Sequence, residues 1–183
     1  GIVDYVRGKQ VGFSNFVSLG NEADVTETDM IEFLADDPKT RVITAYVEMI
    51  RDGRRFLEVA SKVSKKKPIV ILKAGRTNAG ARAVSSHTGS IAGAYTAYQA
   101  AFKQAGVVEV ESVVEMFDVA NALACQPLPE GVRTAIVTNS GGPAALTSDS
   151  LAANGLQLAT LAKATQDHLR AHLNPSSQVG NPV

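Results

Sequence analysis

The sequence has no tryptophan, a single cysteine and no long apolar run. Cys125 has no partner for a disulfide bond within the chain, which excludes a disulfide scaffold and fits a reducing, cytoplasmic compartment. No stretch of about 18 residues escapes charged or strongly polar side chains, so a transmembrane helix is excluded and no membrane partner is expected. The 18 Lys and Arg residues balance the 18 Asp and Glu residues, and this neutral total argues against nucleic acid as a partner.

Acidic residues are also missing from a continuous interval in the middle of the chain. Between Glu58 and Glu109 there is no Asp or Glu, whereas eight of the 18 Lys and Arg residues lie there. This local excess of positive charge predicts an anion-binding site in the middle third. The lysine run at 64–67 also has a simpler interpretation as a solvated helix end, where cations suit the helix dipole.

What the 183 residues do contain is a regular alternation of strand-like and helix-like patterns. The predicted strands are residues 12–19, 41–47, 68–72 and 107–110. The predicted helices are residues 28–34, 54–64 and 113–124, with a further helix that places Ile91, Tyr95, Tyr98 and Phe102 on one face. Strands that alternate with helices predict an α/β fold with a doubly wound parallel sheet and helices on both faces.

A change of composition at residues 126–131 predicts a linker between two domains. The first domain would span residues 1–125, and the alternation restarts in a second domain at 132–183. Its predicted strands are 132–137 and 156–159, and its predicted helices are 143–153 and 165–173. Because the second part is short for an α/β domain, we expect the chain to be a piece of a longer polypeptide, truncated at both ends.

A long loop is predicted at residues 74–89, between a buried strand and a helix. Long loops in compact α/β domains are usually functional or disordered, and ligands bind outside the carboxyl ends of parallel strands. The loop contains no acid, two arginines and His87, whose neutral imidazole is a competent nucleophile for a phosphoryl group. The alternative is an exposed loop histidine, or one that caps the next helix.

A nucleophilic histidine needs a group that fixes its tautomer and stabilises the cation that develops on it. Glu48 is the candidate, because it stands at the carboxyl end of the strand predicted to neighbour the one before the loop. Its alternative role is an ion pair with Arg51 or Arg54.

A second candidate site is the strand-to-helix turn formed by Asn139, Ser140, Gly141 and Gly142. Backbone N–H groups at such a turn, ahead of a helix that has Pro143 in its first turn, are able to cradle phosphate. The turn is neither a Walker A motif nor a dinucleotide fingerprint, and a glycine-requiring tight turn is the simpler alternative.

Other possible sites are weaker. His168 and His172 lie four residues apart on a predicted helix, but no third ligand accompanies them, so no metal site is predicted. Cys125 has no neighbours in the sequence that would activate a thiol.

Several of these segments together resemble one known family. Residues 85–93, Ser-Ser-His-Thr-Gly-Ser-Ile-Ala-Gly, preceded by Lys-Ala-Gly-Arg at 73–76, resemble the phosphohistidine loop of the ADP-forming acyl-CoA synthetases, relatives of succinyl-CoA synthetase. The family's other segments follow in order across nearly the whole chain. They are Gly-Phe-Ser at 12–14, Val-Ser-Leu-Gly-Asn at 17–21, Tyr-Val-Glu at 46–48, the Thr-Asn-Ser-Gly-Gly-Pro turn at 138–143 and Asn-Pro-Val at 181–183.

The resemblance implies a flavodoxin-like, three-layer αβα domain and a specific reaction. Acyl-CoA, phosphate and ADP would be interconverted with a carboxylic acid, CoA and ATP through an acyl phosphate and a phosphohistidine. His87 would carry the phosphoryl group, Glu48 would hold His87, and the turn at 139–142 would bind phosphate. The segment around His87 would be supported by Arg76, Ser86, Thr88 and Gly89.

The resemblance also implies partners. The CoA-binding domain and the ATP-grasp domain or subunit, which hold CoA and ATP or ADP with Mg²⁺, would lie mainly outside this chain, in an oligomeric enzyme that acts on a small carboxylic acid. The acyl group and the direction of flux are not readable. One alternative is an acyl-CoA-binding regulatory region fused to a protein lysine acetyltransferase, although such regions often lack the histidine. Another is a flavodoxin-like domain with no surviving chemistry.

Overall fold

A computed structural model describes residue 6 and residues 11–88 and 95–183, without the side chains of residues 85–88. The chain divides into two compact units, Gly1–Pro127 and Leu128–Val183, and each is described by itself. The first unit contains α1 (Glu27–Ala35), β1 (Ile43–Val47), α2 (Gly53–Val63), β2 (Ile69–Lys73), α3 (Asn78–Thr88), α4 (Tyr95–Ala105), β3 (Val108–Val110) and α5 (Val113–Cys125). The second contains β4 (Arg133–Thr134), α6 (Gly141–Ala153), β5 (Gln157–Leu158) and α7 (Lys163–His172).

The sheet of the first unit is parallel, with strand order β1-β2-β3. Ile43 lies opposite Ile69, and Leu72 lies opposite Val110. Because all three strands run in the same direction, their carboxyl ends meet at one edge. The prediction of a parallel α/β sheet is confirmed.

The central strand β2 is buried on both faces, which explains its almost wholly apolar sequence. Ile69 and Ile71 belong to one core, together with Phe56 of α2 and Phe102 of α4, whose rings meet edge to face with centroids 5.8 Å apart. Val70 and Leu72 belong to a second core, with residues of α5 such as Met116 and Phe117. Helices therefore cover both faces of the sheet, as predicted.

The helix starts follow ordinary capping rules. Thr26 accepts a hydrogen bond from the backbone N–H of Asp29, whose carboxylate in turn accepts one from the Thr26 backbone, so α1 begins with a capping box. Asp52 caps α2 and Ser112 caps α5 through their side chains.

Two predicted elements differ from the structure. Residues 12–19 form no strand but an irregular segment, in which Phe13 packs edge-on against Phe16 and against Phe117 of α5, with ring centroids 5.9 and 6.0 Å apart. The predicted loop 74–89 was wrong for most of its length, because residues 78–88 form helix α3. Alanines at 79, 81 and 83 are strong helix formers, which outweighed the glycine at 80.

The second unit has a two-stranded parallel sheet, β4 with β5. Strand β4 is shorter than the predicted 132–137, because its continuation pairs instead with the last residues of the chain. Val183 donates its N–H to the Ile136 carbonyl oxygen and accepts from the Thr138 N–H, both at 2.9 Å. Asn181 links the two strands, since its amide nitrogen donates to the carbonyls of Thr134 and Ala159, each at 2.8 Å.

Among the described residues, no helix has the length and apolar character needed to cross a membrane.

Candidate functional site

The carboxyl edge of the first unit's sheet gathers several polar groups. Glu48 directly follows β1, Lys73 ends β2, and Glu111 directly follows β3. Helix α4 adds Tyr95 and Tyr98 to the same region through their contacts with Glu109 and Lys73. This is the edge where ligands bind in open α/β sheets.

Lys73 is the most buried of these groups, with only 3% of its surface exposed. Its ammonium donates hydrogen bonds to the carbonyl oxygen of Glu48, at 2.8 Å, and to that of Ala74, and it lies 4.6 Å from the centre of the Tyr98 ring. Burial lowers the pKa of Lys73, while the negative charges of Glu48 and Glu109 act in the opposite direction. Within the described residues Lys73 forms no ion pair, so a buried cation is held by carbonyls and an aromatic ring.

Glu48 is half-buried at the end of β1. In the described part of the chain it forms an ion pair with neither Arg51 nor Arg54, the alternative role considered from the sequence, and Arg51 donates instead to the Asn21 carbonyl at 2.8 Å. Glu48 lines a groove of about 700 Å³ beside β1, together with Glu22, Glu27 and Arg51. Its carboxylate is therefore not committed to a neighbouring arginine.

The groove contains two carboxyl groups that the sequence did not single out. Glu27 is 5% exposed, accepts a hydrogen bond from the Thr28 hydroxyl at 2.8 Å through Oε1, and has no partner for Oε2 among the described residues. Burial, followed by the charge of Glu27, raises the pKa of Glu22 to about 7. Glu22 also has a φ of 53°, a backbone conformation that is uncommon outside glycine.

The sequence after β2 packs as a tight turn against helix α3. Gly75 has a φ of +73°, and a Cβ placed there would lie 3.1 Å from Cγ2 of Val84. Thr77 caps the helix, because its Oγ1 accepts a hydrogen bond from the Gly80 N–H at 3.1 Å. The Lys-Ala-Gly-Arg-Thr segment at 73–77 thus has a structural explanation at each end: a buried lysine before the turn and a helix cap after it.

His87 is the next-to-last residue of α3. It was expected in a loop ahead of a helix, whereas nine residues of helical rise, about 13 Å, separate it from Asn78 at the start of α3. The side chains of His87, Ser86 and Thr88, and all of Gly89, lie outside the described residues, so their predicted roles stay predictions.

Arg76 and Tyr95 connect the turn to β3. The Arg76 guanidinium donates to the Glu111 carbonyl at 3.2 Å and lies 3.3 Å from its carboxylate, while the Tyr95 hydroxyl donates to Glu109 at 2.7 Å. Burial, then the hydrogen bond to Glu109, raises the pKa of Tyr95. Arg76, predicted to support the histidine segment, is thus paired with an acid from outside the acid-free interval.

Other cations of that interval are paired in the same way. Lys62 lies 2.9 Å from the carboxylate of Glu58, and Lys66 lies 3.5 Å from that of Asp36. The excess of positive charge seen in the sequence is therefore partly neutralised by acids that the fold brings in from the flanking segments.

In the second unit, residues 139–142 are exposed; Asn139 and Ser140 precede α6, and Gly141 and Gly142 are its first two residues. Ser140 is the N-cap residue and provides no side-chain cap, and its own N–H donates to the Thr138 hydroxyl at 3.2 Å. The N–H groups of Gly141 and Gly142 have no hydrogen-bond partner in the described part of the chain. Both glycines are exposed, and nothing lies within 4 Å of a Cβ placed at either, so space is open beside these donors at the helix N-terminus.

The weaker candidates have local partners. The rings of His168 and His172 lie 4.5 Å apart, and Nδ1 of His172 donates to the His168 carbonyl at 2.8 Å. No group of three or more potential metal ligands occurs among the described residues. Cys125 is exposed, and its thiol donates to the Asn121 side chain at 3.3 Å.

Comparison with known proteins finds similar sequences over nearly the whole chain. The alpha subunit of an ADP-forming acetate–CoA ligase II from Pyrococcus furiosus is 50% identical over 183 residues, which cover 100% of this chain and 40% of the relative. A 4-hydroxybutyrate–CoA ligase (ADP-forming) from Nitrosopumilus maritimus is 40% identical over 162 residues, which cover 87% of this chain and 23% of the relative. The chain thus spans well under half the length of these relatives.

A solved structure is similar in both fold and sequence. It is a dinucleotide forming acetyl-coenzyme A synthetase 1 from Ca. Korarchaeum cryptofilum in complex with phosphate and ADP, with a TM-score of 0.92 and 42% identity over 98% of this chain and 39% of that one. The family model described as succinyl-CoA ligase like flavodoxin domain matches residues 1–123. Since that match covers most of the chain, the protein belongs to the family of succinyl-CoA ligase like flavodoxin domains.

Proposed function

We propose that this chain is the phosphohistidine-carrying part of an ADP-forming acyl-CoA synthetase. The reaction interconverts acyl-CoA, phosphate and ADP with a carboxylic acid, CoA and ATP. The observation that carries the proposal is the 50% identity to an ADP-forming acetate–CoA ligase subunit over 100% of this chain. The similar structure that is described with phosphate and ADP supports the same reactants.

The chemistry proceeds in three transfers. A phosphate oxygen attacks the thioester carbonyl carbon, the C–S bond breaks, and CoA leaves as the thiolate. A ring nitrogen of His87 then attacks the phosphorus of the acyl phosphate, and the carboxylate leaves with the electrons of the P–O bond. Finally the phosphoryl group passes from His87 to a terminal oxygen of ADP, which restores the imidazole.

We assign the supporting role to Glu48. A carboxylate that accepts the other ring N–H of His87 would fix the tautomer and stabilise the imidazolium character of the phosphorylated ring. Glu48 stands at the carboxyl edge of the sheet, half-buried and without an arginine partner among the described residues. β2, the strand before α3, pairs with β1, and β1 ends one residue before Glu48.

We assign phosphate binding to the turn formed by Asn139, Ser140, Gly141 and Gly142. At the start of a 13-residue helix, two backbone N–H groups have no partner among the described residues and suit a phosphate anion. Around His87, we assign supporting roles to Arg76, Ser86, Thr88 and Gly89. The contacts of Arg76 with Glu111 anchor the turn that leads into α3.

The remaining machinery belongs to partner parts of the enzyme. We propose residues 1–125 as the histidine-carrying domain, 126–131 as a linker and 132–183 as part of a second domain of similar fold. CoA and ATP or ADP with Mg²⁺ would be held mainly by a CoA-binding domain and an ATP-grasp domain or subunit. We further propose a small carboxylic acid substrate, an oligomeric enzyme and, given the single cysteine, a cytoplasmic location.

The relatives do not identify the acyl group of the substrate. One is named for acetate and another for 4-hydroxybutyrate, although both share at least 40% identity with this chain. Acid specificity therefore depends on residues that these similarities do not identify.

The proposal is tested by following phosphate on the histidine. The full-length protein, with the subunits it needs, is incubated with radiolabelled ATP, or with acetyl-CoA and radiolabelled phosphate. We expect an acid-labile phosphoryl group on His87 that is lost in His87→Ala. His172→Ala is the matched control, because His172 is an exposed helical histidine of the second unit and its removal should leave labelling intact.

Absence of label under both conditions would contradict the proposal. Such a protein, if it still bound acyl-CoA, would fit the regulatory region of an acetyltransferase instead. The relatives described above are ligases and a synthetase by name, which favours the synthetase.

A further inference from the structure

Lys73 is the feature of the carboxyl edge that the proposed reaction does not use. It is 3% exposed, although a lysine is rarely buried without a charged partner. Its ammonium donates to the carbonyl oxygen of Glu48 at 2.8 Å, and among the described residues it forms no ion pair with the Glu48 carboxylate. The contact therefore acts on the backbone that carries Glu48.

Three contacts hold that backbone. The Ala74 N–H donates to the Val47 carbonyl at 2.9 Å and extends the β1–β2 ladder to its last residue. Lys73 then binds the next carbonyl, that of Glu48, and also the carbonyl of Ala74. The ammonium thus ties the ends of the two strands together one residue beyond the regular ladder.

Tyr98 continues the same arrangement. Its ring lies 4.6 Å from the Lys73 ammonium, and its hydroxyl accepts a hydrogen bond from the Ile50 N–H at 3.4 Å. The ring of Tyr98 therefore covers the Lys73 ammonium, and its hydroxyl binds the backbone two residues after Glu48. Lys73 of β2 therefore holds the backbone at Glu48, and Tyr98 of α4 holds it at Ile50.

We propose that Lys73 is a positioning residue for phosphoryl transfer, which acts by fixing the Glu48 backbone and thereby the place of the Glu48 carboxylate. This inference rests on the proposed role of Glu48 toward His87. Because the displacement of a catalytic group by about 1 Å lowers rates by up to about 100-fold, a loosened turn would slow phosphorylation even in a folded protein.

The chain offers a matched control at the other end of the same strand. Lys67 precedes β2, is half-buried, and also donates to two backbone carbonyls, those of Leu34 at 2.7 Å and Asp37 at 2.5 Å. Replacement of either lysine by methionine removes one ammonium and two hydrogen bonds to carbonyls. Only the change at Lys73 affects the segment that carries Glu48.

The experiment is a double-mutant cycle on the full-length protein with its partner subunits. Single-turnover labelling of His87 by radiolabelled ATP is measured for wild type, Lys73→Met, Glu48→Gln and the double variant, with thermal unfolding as the folding check. We expect Lys73→Met to slow labelling by about 10- to 100-fold in the wild-type background and by less than about twofold in the Glu48→Gln background. Lys67→Met should lower thermal stability but change the labelling rate by less than about threefold.

Equal slowing by Lys73→Met in both backgrounds would overturn the inference, and so would an effect of Lys67→Met as large as that of Lys73→Met. If Lys73→Met does not fold, Tyr98→Phe decides, because it removes only the hydroxyl that binds Ile50. We expect a few-fold loss that disappears in the Glu48→Gln background, and an undiminished loss there would overturn the inference. Failure of the wild type to label His87 would instead overturn the proposed function together with this inference.

Discussion

Two lysines flank the central strand of the first unit and show how differently its two ends are built. Lys67, before β2, and Lys73, at its end, each donate hydrogen bonds to two backbone carbonyls. At the amino end the surrounding polar groups are satisfied. At the carboxyl end, several polar groups are buried or have no partner among the described residues.

The amino end illustrates the satisfied state. The Asp37 carboxylate accepts hydrogen bonds from the Thr40 hydroxyl at 2.6 Å, from the Lys39 N–H at 3.1 Å and from Asn15 at 3.0 Å. The hydrogen bond from Thr40, followed by that from Lys39, lowers the pKa of Asp37. A carboxylate with this many donors is stabilised in its charged form and has a structural role.

The carboxyl end illustrates the opposite state. Glu22 has a raised pKa, Glu27 has an oxygen without a described partner, and Glu48 is not paired with an arginine in the described part of the chain. Groups of this kind lower the stability of a fold and cluster at functional sites. The contrast between the two ends therefore favours a functional role for the carboxyl edge, on physical grounds that do not depend on the relatives.

The largest expected effect comes from the two carboxylates that the comparison contrasts. Glu48→Gln should slow the labelling of His87 by at least about 100-fold, because the amide cannot stabilise a histidine cation as a carboxylate does. Asp37→Asn at the amino end should change it by less than about twofold, since distant sites act independently. Rapid-quench labelling measures both, and equal rates for wild type and Glu48→Gln would remove Glu48 from the mechanism.

A smaller effect is expected at the turn after β2. Gly75→Ala should lower the free energy of unfolding by about 1–3 kcal/mol, because the φ of +73° is unfavourable for alanine and the new Cβ would lie 3.1 Å from Val84. Gly53→Ala is the control, since nothing lies within 4 Å of a Cβ there and its φ is not positive. Urea denaturation compares the two variants, and equal stabilities would show that the turn is not constrained.

The smallest expected effect is a dependence of stability on pH. Glu22 keeps its proton in the folded state up to about pH 7, whereas its ordinary pKa is 4.5, so the folded state binds more protons between these values. Stability should therefore fall as the pH rises through this window, and Glu22→Gln should remove that fall. At the amino end the sign is reversed, because the lowered pKa of Asp37 contributes stability that is lost only as the pH falls below its ordinary 3.8.

Denaturation curves recorded between pH 4.5 and 7 for wild type and Glu22→Gln provide the measurement. Parallel dependence in the two proteins would show that Glu22 is not the group responsible.

Much of this contrast was predictable from the sequence. The apolar run at β2 and the apolar face of α2 predicted the parallel sheet. The place of Glu48, directly after β1, was predicted from the position of that strand in the sequence. Lys73 was visible as a residue in the positive interval, but not as a buried one. Its burial depends on Tyr98 and on the Glu48 carbonyl, which lie 25 residues away in each direction along the chain.

The two errors have different causes. Within residues 74–89 the glycines at 75 and 80 read as loop residues, although Gly75 lies in the turn after β2 and Gly80 lies in the first turn of α3, which Thr77 caps. In residues 12–19 the apolar pattern suited a strand, but Phe13 and Phe16 pack on each other, and Phe13 also packs on α5, instead of alternating across a sheet. Local helix propensity outweighed the glycine in α3, whereas tertiary packing outweighed the local pattern in residues 12–19.

Asn181 has a consequence for the order in which the chain folds. Its side chain binds Thr134 and Ala159, 47 and 22 residues earlier, and the residues that follow it complete the pairing beside β4. During synthesis, the second unit therefore lacks these hydrogen bonds until residue 183 has left the ribosome, whereas the described strands of the first unit have been made by residue 110. The first unit is thus expected to fold while the second is still being made.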